Sequence, residues 1–295
     1  MKKVQVLLST YNAEKYLRKQ LDTVYAQEGV EVELLVRDDG SSDSTLEILN
    51  EYQKENALKI LDGPNLGFAK SFWTLVQNAG GADYYAFCDQ DDLWDRDKLS
   101  EAISSIEKKQ PLMIIPMLYT SNAIAVNDNL EVIKENCFDF SGVLSYADCL
   151  QHSVLPGCTF VFNDALREIA KQYNGRIVAH DFIMYQLAET FGEVVYDEKA
   201  HIRYRIHSGN TIGINSPLKE FFDKVKRQFA RKKWPKRSEI AKDILDTYGE
   251  KIPIEKREVL ELFSQANRVK NWTKILSFSE YRNVDFILMM LLGRI

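Results

Sequence analysis

In the amino-terminal third of the chain, short continuous apolar runs take turns with segments whose apolar residues recur every three or four positions. The runs are Val4–Leu8, Val32–Val36, Leu58–Leu61 and Tyr84–Cys88. Runs of this length, rich in Val, Leu and aromatic residues, predict buried strands. Between them, Leu17, Leu21, Val24 and Tyr25 predict a helix closed by Gly29, and Leu46, Leu49 and Tyr52 predict a second. A turn at Gly63–Gly67 leads into a third, Phe68 to Asn78, which Gly80-Gly81 stops. This alternation predicts an α/β fold, a mostly parallel sheet flanked by helices. Right-handed crossovers put all the strand carboxyl ends on one side. Ser9–Asn12, Asp38–Ser42 and Asp89–Asp92 each follow a strand directly. They are therefore expected to converge on one crevice, where open α/β sheets bind ligands.

The pattern loosens after residue 95. Strands are expected at Leu112–Pro116, Ala123–Val126, Gly157–Phe162, Glu193–Tyr196 and Ile202–His207. One helix is expected from Asp164 and another from His180-Asp181, with Ile183, Tyr185, Leu187 and Phe191 on its apolar positions. Beyond Gly209 the composition changes. From Lys219 to Arg237 there are nine Lys or Arg and two acids, with Phe221, Phe222, Val225, Phe229 and Trp234 interleaved. Pro235 breaks this segment, two helical stretches follow, and an apolar run, Phe286–Leu292, lies near the end. The expected division is a main domain at 1–212, with halves 1–95 and 96–212, and a basic, amphipathic helical appendage at 213–295.

Composition narrows the class. With 295 residues, 45% hydrophobic and 27% charged, the chain reads as ordinary globular protein, and its net charge of −5 argues against nucleic acid as a partner. Cys88, Cys137, Cys149 and Cys158 form no C-x-x-C pair, which argues against a zinc or redox motif and suggests reduced thiols in a cytoplasm. The amino terminus lacks a signal-peptide core, and no apolar stretch approaches the roughly 20 residues that span a bilayer.

The candidate chemistry sits at Phe87-Cys88-Asp89-Gln90-Asp91-Asp92-Leu93-Trp94. Three carboxylates within four positions repel one another, and something positive should offset them. Hard oxygen ligands at this density suit Mg²⁺ or Mn²⁺ bridged to a diphosphate. The alternative is a loop of solvated acids that caps the next helix.

Four pieces occur in order between residues 4 and 210: Ser9-Thr10-Tyr11-Asn12, Asp38-Asp39-Gly40-Ser41, Asn65-Leu66-Gly67 and the D-x-D triplet Asp89-Gln90-Asp91. Together they resemble the family 2 glycosyltransferases of GT-A fold. The run from Cys88 to Trp94 is most similar to bacterial rhamnosyltransferases of cell-wall and capsular polysaccharides. The resemblance implies an inverting, metal-dependent transfer of a sugar from a nucleotide donor, with residues 1–95 binding the nucleotide and 96–212 the acceptor. The donor it implies is dTDP-rhamnose; a UDP-linked galactose or N-acetylglucosamine is the alternative. The metal, Mn²⁺ or Mg²⁺, would be held by Asp91, with Asp89 on the ribose or the metal's waters and His207 as a third ligand. Asp92 has no fixed role. Ser9, Tyr11 and Asp39 would form the base pocket, with Asn65 also on the donor side and Arg205 pairing a phosphate.

Asp181 would be the base that takes the acceptor's proton. The usual acid before it is His180 here, which leaves position 180 open. Gly157 would shape the acceptor pocket. Simpler readings stand beside these. Ser9 serves as a turn residue, Tyr11 as packing, Asp38 and Asp181 as caps, Lys70 as a solvated lysine, His207 as a structural histidine and Cys158 as packing. The implied acceptor is a lipid-linked or polymeric saccharide, which would bring the enzyme to the inner leaflet through its basic tail; the alternative for that tail is a packing appendage with a solvated face. A nucleotidyltransferase is the competing enzyme class, although its Gly-rich basic loop is missing after the first strand; a non-catalytic nucleotide-sugar-binding module is the other competitor.

Overall fold

The computed structural model describes residues 1–110, 112, 114–138, 145–151, 155–207 and 236–265. Its first half contains β1 (Lys2–Thr10), α1 (Leu17–Tyr25), β2 (Val30–Asp38), α2 (Thr45–Gln53), β3 (Leu58–Asp62), α3 (Phe68–Asn78) and β4 (Tyr84–Cys88). All four strands pair in parallel, as the alternation predicts. β1 runs on through Ser9 and Thr10, because Arg37 and Asp38 of β2 give them ladder partners.

The second half continues with β5 (Leu93–Trp94), α4 (Lys98–Lys109), β6 (Met117–Val126), β7 (Val132–Lys134), α5 (Tyr146–Gln151) and a 3₁₀ turn at Gly157–Thr159. Then come β8 (Val161–Asn163), α6 (Asp164–Gln172), α7 (His180–Phe191), β9 (Glu193–Arg205), α8 (Arg237–Tyr248) and α9 (Ile254–Ser264). The strand order is β3-β2-β1-β4-β8-β6-β9-β5, with β7 on β6. β8 is antiparallel to both neighbours and β5 is antiparallel to β9, so the sheet as a whole is mixed.

All five strands expected after residue 95 are redrawn. Among the described residues of 112–116 there is no strand: Leu112 and Ile114 are exposed and Pro116 has no N–H for a ladder. The strand starts at Met117 and runs through Thr120, Ser121 and Asn122 to Val126. Those polar residues mimic a loop in the sequence but are buried with partners: Thr120 Oγ1 lies 2.8 Å from Thr159 Oγ1, and Asn122 Nδ2 donates to the Phe138 carbonyl at 2.8 Å. Gly157–Thr159 forms a turn before β8. The two strands expected within 193–207 are one, β9, whose exposed middle around Asp197–Lys199 coincides with a register shift against β6.

Alternation across β1 and β4 sorts two cores. Val4, Val6, Leu8, Tyr84, Ala86 and Cys88 pack with Leu17, Leu21, Ile48 and Leu99 on one face. Leu7, Tyr85 and Phe87 pack with Phe72, Val76, Leu166 and Phe182 on the other. Burial on both faces is why these strands read as unbroken apolar runs. Ile240, Ile244, Leu260 and Phe263 of α8 and α9 join the second core. Of the basic segment Lys219–Arg237, only Lys236 and Arg237 fall among the described residues, and Phe286–Leu292 lies outside them. No helix among the described residues is long and apolar enough to cross a membrane.

At the joint start of β6 and β9, Gly192 packs directly on Pro116, and a Cβ at 192 would overlap the Pro116 carbonyl. The neighbouring Glu193 N–H donates to that same carbonyl at 3.0 Å. Gly192→Ala should therefore destabilise the fold by at least about 2 kcal/mol in urea unfolding, the scale of overpacking against rigid backbone; an unchanged midpoint would show that the joint yields.

Candidate active site

The carboxyl ends of β1, β2 and β4 meet at one rim, with Thr10 beside Asp38 and Leu8 beside Cys88. The loops that follow are tied to one another. Asp38 is buried and organises its own loop: Oδ1 accepts from Thr10 Oγ1 (2.9 Å) and Ser41 Oγ (2.6 Å), and Oδ2 accepts from the Ser41 N–H (2.8 Å). The Asn12 N–H donates to Ser41 Oγ, and the Ser42 N–H returns to Asn12 Oδ1, both at 2.9 Å. Gln90 links the first loop to the acidic turn. Its Oε1 accepts from the Tyr11 N–H at 2.7 Å, and its Nε2 donates to the Tyr11 carbonyl at 3.2 Å. The three loops do meet at one rim.

Its donor-side residues differ in freedom. Tyr11 is 48% exposed at the rim, so its ring is available to a ligand. Ser9 turns its hydroxyl to Ser71 Oγ at 2.6 Å. Asp39 is buried, with Oδ1 accepting from Arg37 Nη1 and the Leu66 N–H (2.8 Å) and Oδ2 from the Gly67 N–H (2.8 Å). Asn65 is exposed and its Oδ1 accepts from the Gly67 N–H at 3.1 Å, so Asp39 and Asn65 jointly shape the entry to α3. Lys70 is exposed.

The acidic turn is held from β9. The Arg205 N–H donates to Asp92 Oδ1 (3.1 Å), its Nε to the Asp91 carbonyl (2.8 Å) and its Nη1 to the Asp128 carbonyl (3.1 Å). Arg205 is buried, and its guanidinium addresses the carbonyls of Asp91 and Asp128. His207, just past the strand, sets Nε2 2.7 Å from Asp91 Oδ2. Tyr16 stacks on the His207 ring at 5.0 Å, holds the Arg205 guanidinium 4.8 Å from its own ring centroid, and donates its hydroxyl to Asp128 Oδ1 at 2.7 Å. Burial pushes the Asp89 and Asp92 carboxyls above their ordinary range, and the Asp91 charge adds to both.

The donor set suits a hard divalent ion. Asp91 and His207 present an oxygen and a nitrogen side by side, and ligands about 2.1 Å from an octahedral ion stand about 3 Å from each other. Ligand atoms of Asp89, Asp92 and Cys158 lie within 4.8 Å of one another. Burial raises the Cys158 thiol and keeps it protonated, which leaves it as packing. Carboxylate oxygens and one imidazole are what Mn²⁺ or Mg²⁺ accepts.

Across the crevice, Ala179 is the cap of α7, so Asp181 stands inside the first turn. Oδ1 accepts from the Phe182 N–H at 2.7 Å. Burial pushes the Asp181 carboxyl up to about 6. Asp181 is also close enough for its charge to help raise Asp89, which puts it opposite the acidic turn. His180 is buried against aromatic rings, stacked on Phe72 at 4.0 Å and edge-on to Phe87 at 4.7 Å. Burial lowers it to about 3, so position 180 holds a neutral packing residue. Gly157 permits this approach: a Cβ there would come within 2.9 Å of Asp181 Cβ and 3.0 Å of His180 Nε2.

Sequence reasoning does not reach Gln90, Tyr16 or Asp128. Gln90 was within sight, as the polar centre of the triplet. Tyr16 and Asp128 are 112 positions apart and carry no local signal.

The sequence model described as glycosyl transferase family 2 matches residues 5–170. A dTDP-rhamnosyl transferase of Shigella flexneri, RfbG, is 30% identical over 241 residues, 77% of this chain and 80% of that protein. The crystal structure of S. aureus TarS 1–349 in complex with UDP-GlcNAc is similar at a TM-score of 0.60 and 20% identity, covering 99% of this chain and 79% of that one. The mannosyltransferase PcManGT from Pyrobaculum calidifontis, in complex with GDP-Man and Mn²⁺, is similar at a TM-score of 0.54 and 16% identity, again covering 99% and 79%. These two likenesses show the GT-A fold. The family match sets aside the nucleotidyltransferase and the non-catalytic module. With its family's pattern over more than half its length, a relative at 30% identity and that fold, the chain belongs to the family 2 glycosyltransferases and is a glycosyltransferase.

Proposed function

We propose that this enzyme transfers L-rhamnose from dTDP-rhamnose, with inversion, to a growing lipid-linked cell-wall or capsular polysaccharide, and that it needs Mn²⁺ or Mg²⁺. The observation that carries the reading is that Asp181 and the acidic turn meet the same short segment, Asp181 against Gly157 and the Asp89 and Asp92 carboxylates against Cys158. The rhamnose follows the likeness to the dTDP-rhamnosyl transferase. A UDP-sugar donor is the second reading, favoured by the UDP-GlcNAc in the similar TarS structure.

Asp91, Asp89 and His207 would hold the metal. When bound, it would act as a Lewis acid that stabilises the departing nucleoside diphosphate. The chain does the rest. Tyr11 offers its exposed ring to the nucleobase, with Ser9, Asp39 and Asn65 shaping that end. Arg205 holds the acidic turn through its carbonyls. Asp181 accepts the proton of the acceptor hydroxyl as that oxygen attacks the anomeric carbon opposite the leaving diphosphate. Its raised pKa suits a base near neutrality: ionised at pH 7, yet more basic than a free carboxylate.

The division at 1–212 and 213–295 belongs to the same proposal, as does a peripheral place at the inner face of the membrane. The support for that place is the basic segment 219–237, in which each Lys or Arg near an anionic surface contributes about 1 kcal/mol.

Three outcomes test the reading. Asp91→Ala and Asp181→Asn should each lower sugar transfer at least about 100-fold while the protein stays folded, and EDTA should stop wild-type turnover; near wild-type turnover by Asp181→Asn would remove it as the base. The kcat/KM of the wild type should rise with pH through about 6 and level off above, since only ionised Asp181 accepts a proton. Stability has the opposite sign. A carboxyl moved from 3.8 to about 6 weakens the fold as pH climbs through that window and leaves it weaker above. Asp181→Asn should therefore gain about 3 kcal/mol at pH 8 and little at pH 4 in chemical unfolding.

A further inference from the structure

His207 lies just beyond the end of β9. The Ile206 N–H still donates to the Val126 carbonyl at 2.8 Å, which continues the pairing with β6. The backbone therefore fixes where the residue stands, but its neighbours must aim the imidazole. Groups around a metal-ligating histidine set the orientation of its ring. Two segments distant in sequence meet here to do so. Tyr16, half-buried in the turn that leads from β1 into α1, stacks on the imidazole with centroids 5.0 Å apart and planes 25° apart. Such a stack opposes rotation about the Cβ–Cγ bond of His207, the motion that would swing Nε2 away from Asp91 Oδ2, which lies 2.7 Å from it.

Tyr16 is itself anchored. Its hydroxyl donates to Asp128 Oδ1 at 2.7 Å. Asp128 sits in the turn between β6 and β7, which its own bonds stiffen: Asn127 Oδ1 accepts from the N–H groups of Asn129 (2.9 Å) and Glu131 (3.0 Å). The Asp128 carbonyl also receives Arg205 Nη1 at 3.1 Å, and that guanidinium stands 4.8 Å from the Tyr16 ring centroid. Lys15 Nζ reaches Asp128 Oδ2 at 2.9 Å, but that ion pair is exposed and contributes little. One aromatic ring thus touches both β9-end groups that hold Asp91, the imidazole at its side chain and the guanidinium at its carbonyl.

We propose that Tyr16 is a positioning residue, anchored by the Asp128 carboxyl, that holds the His207 imidazole in the orientation in which it joins Asp91 on a divalent cation. The idea rests on the proposed function in taking His207 as a metal ligand. It asks Asp128 only for an oxygen acceptor.

Mn²⁺ binding by the full-length chain tests it, followed through the EPR signal of free Mn²⁺ with and without dTDP or UDP, beside thermal unfolding in EDTA. Tyr16→Leu should weaken Mn²⁺ about 10-fold, the scale for a residue that orients a ligand. Asp128→Ala should weaken it in the same direction and leave the EDTA midpoint within about 2 °C of wild type, as a change at an exposed side chain does. Asp128→Asn keeps an oxygen for the Tyr16 hydroxyl and should bind Mn²⁺ like wild type. Equal losses in Asp128→Ala and Asp128→Asn would trace the effect to charge and overturn the proposal. His207→Ala should also lose Mn²⁺ affinity, and adding Tyr16→Leu to it should cost nothing more, since no ring is left to aim; a full additive loss would overturn the proposal. In protein with ¹³C-labelled histidine, the ring signal that disappears in His207→Ala should shift in Tyr16→Leu as the ring current is removed, and an unmoved signal would refute the stack. If Tyr16→Leu fails to fold, the contrast between Asp128→Ala and Asp128→Asn decides. A wild type that binds no Mn²⁺, or a His207→Ala that binds it normally, would end the metal reading of His207 and this proposal together. Binding that needs His207 but ignores Tyr16 would end this proposal alone.

Discussion

Mutual repulsion among Asp89, Asp91 and Asp92, at the end of a strand buried on both faces, is the constraint that the surrounding structure answers. Each carboxylate meets a different response. Asp91 has His207 against its side chain and Arg205 on its carbonyl. Asp92 has the Arg205 N–H on one oxygen. Asp89, partly exposed, faces the crevice and feels Asp181 across it. Most of these responses come from the far end of β9, more than a hundred residues along the chain. The long strand therefore does two things: it extends the sheet through β6, and it delivers a clamp to the acidic turn.

The other wall of the crevice is governed by burial. Asp181 keeps a raised pKa because little water reaches it and the helix start compensates only in part. Its neighbour His180 gives up charge altogether and joins the aromatic packing of Phe72 and Phe87. Where the family pattern has an acid, this chain has a neutral ring. Asp181 is then the one ionisable group that this pair contributes at neutral pH, and its proton affinity is tuned by packing.

Much of this was legible before any coordinates. Continuous apolar runs exposed the parallel strands, because such strands are covered on both faces. Chirality then placed Ser9–Asn12, Asp38–Ser42 and Asp89–Asp92 together with no knowledge of side chains. Other parts stayed hidden for physical reasons. Met117–Val126 disguises its centre with Thr120, Ser121 and Asn122, whose hydrogen bonds are met only by distant segments. Arg205 turns its guanidinium to the carbonyls of Asp91 and Asp128, and periodicity carries no information on the buried partners a strand residue finds. Lys98 follows Trp94-Asp95-Arg96-Asp97, a stretch that reads as a solvated helix start; only the packing of α4 against β6 and β9 turns it inward.

The Gln90 clamp has a further consequence. Its amide grips the Tyr11 backbone from both sides, so the rim that would receive a base and the turn that would receive a diphosphate are joined by one rigid side chain. A donor would be gauged along its length. If a donor binds as proposed, that amide fixes the spacing between its base and its diphosphate.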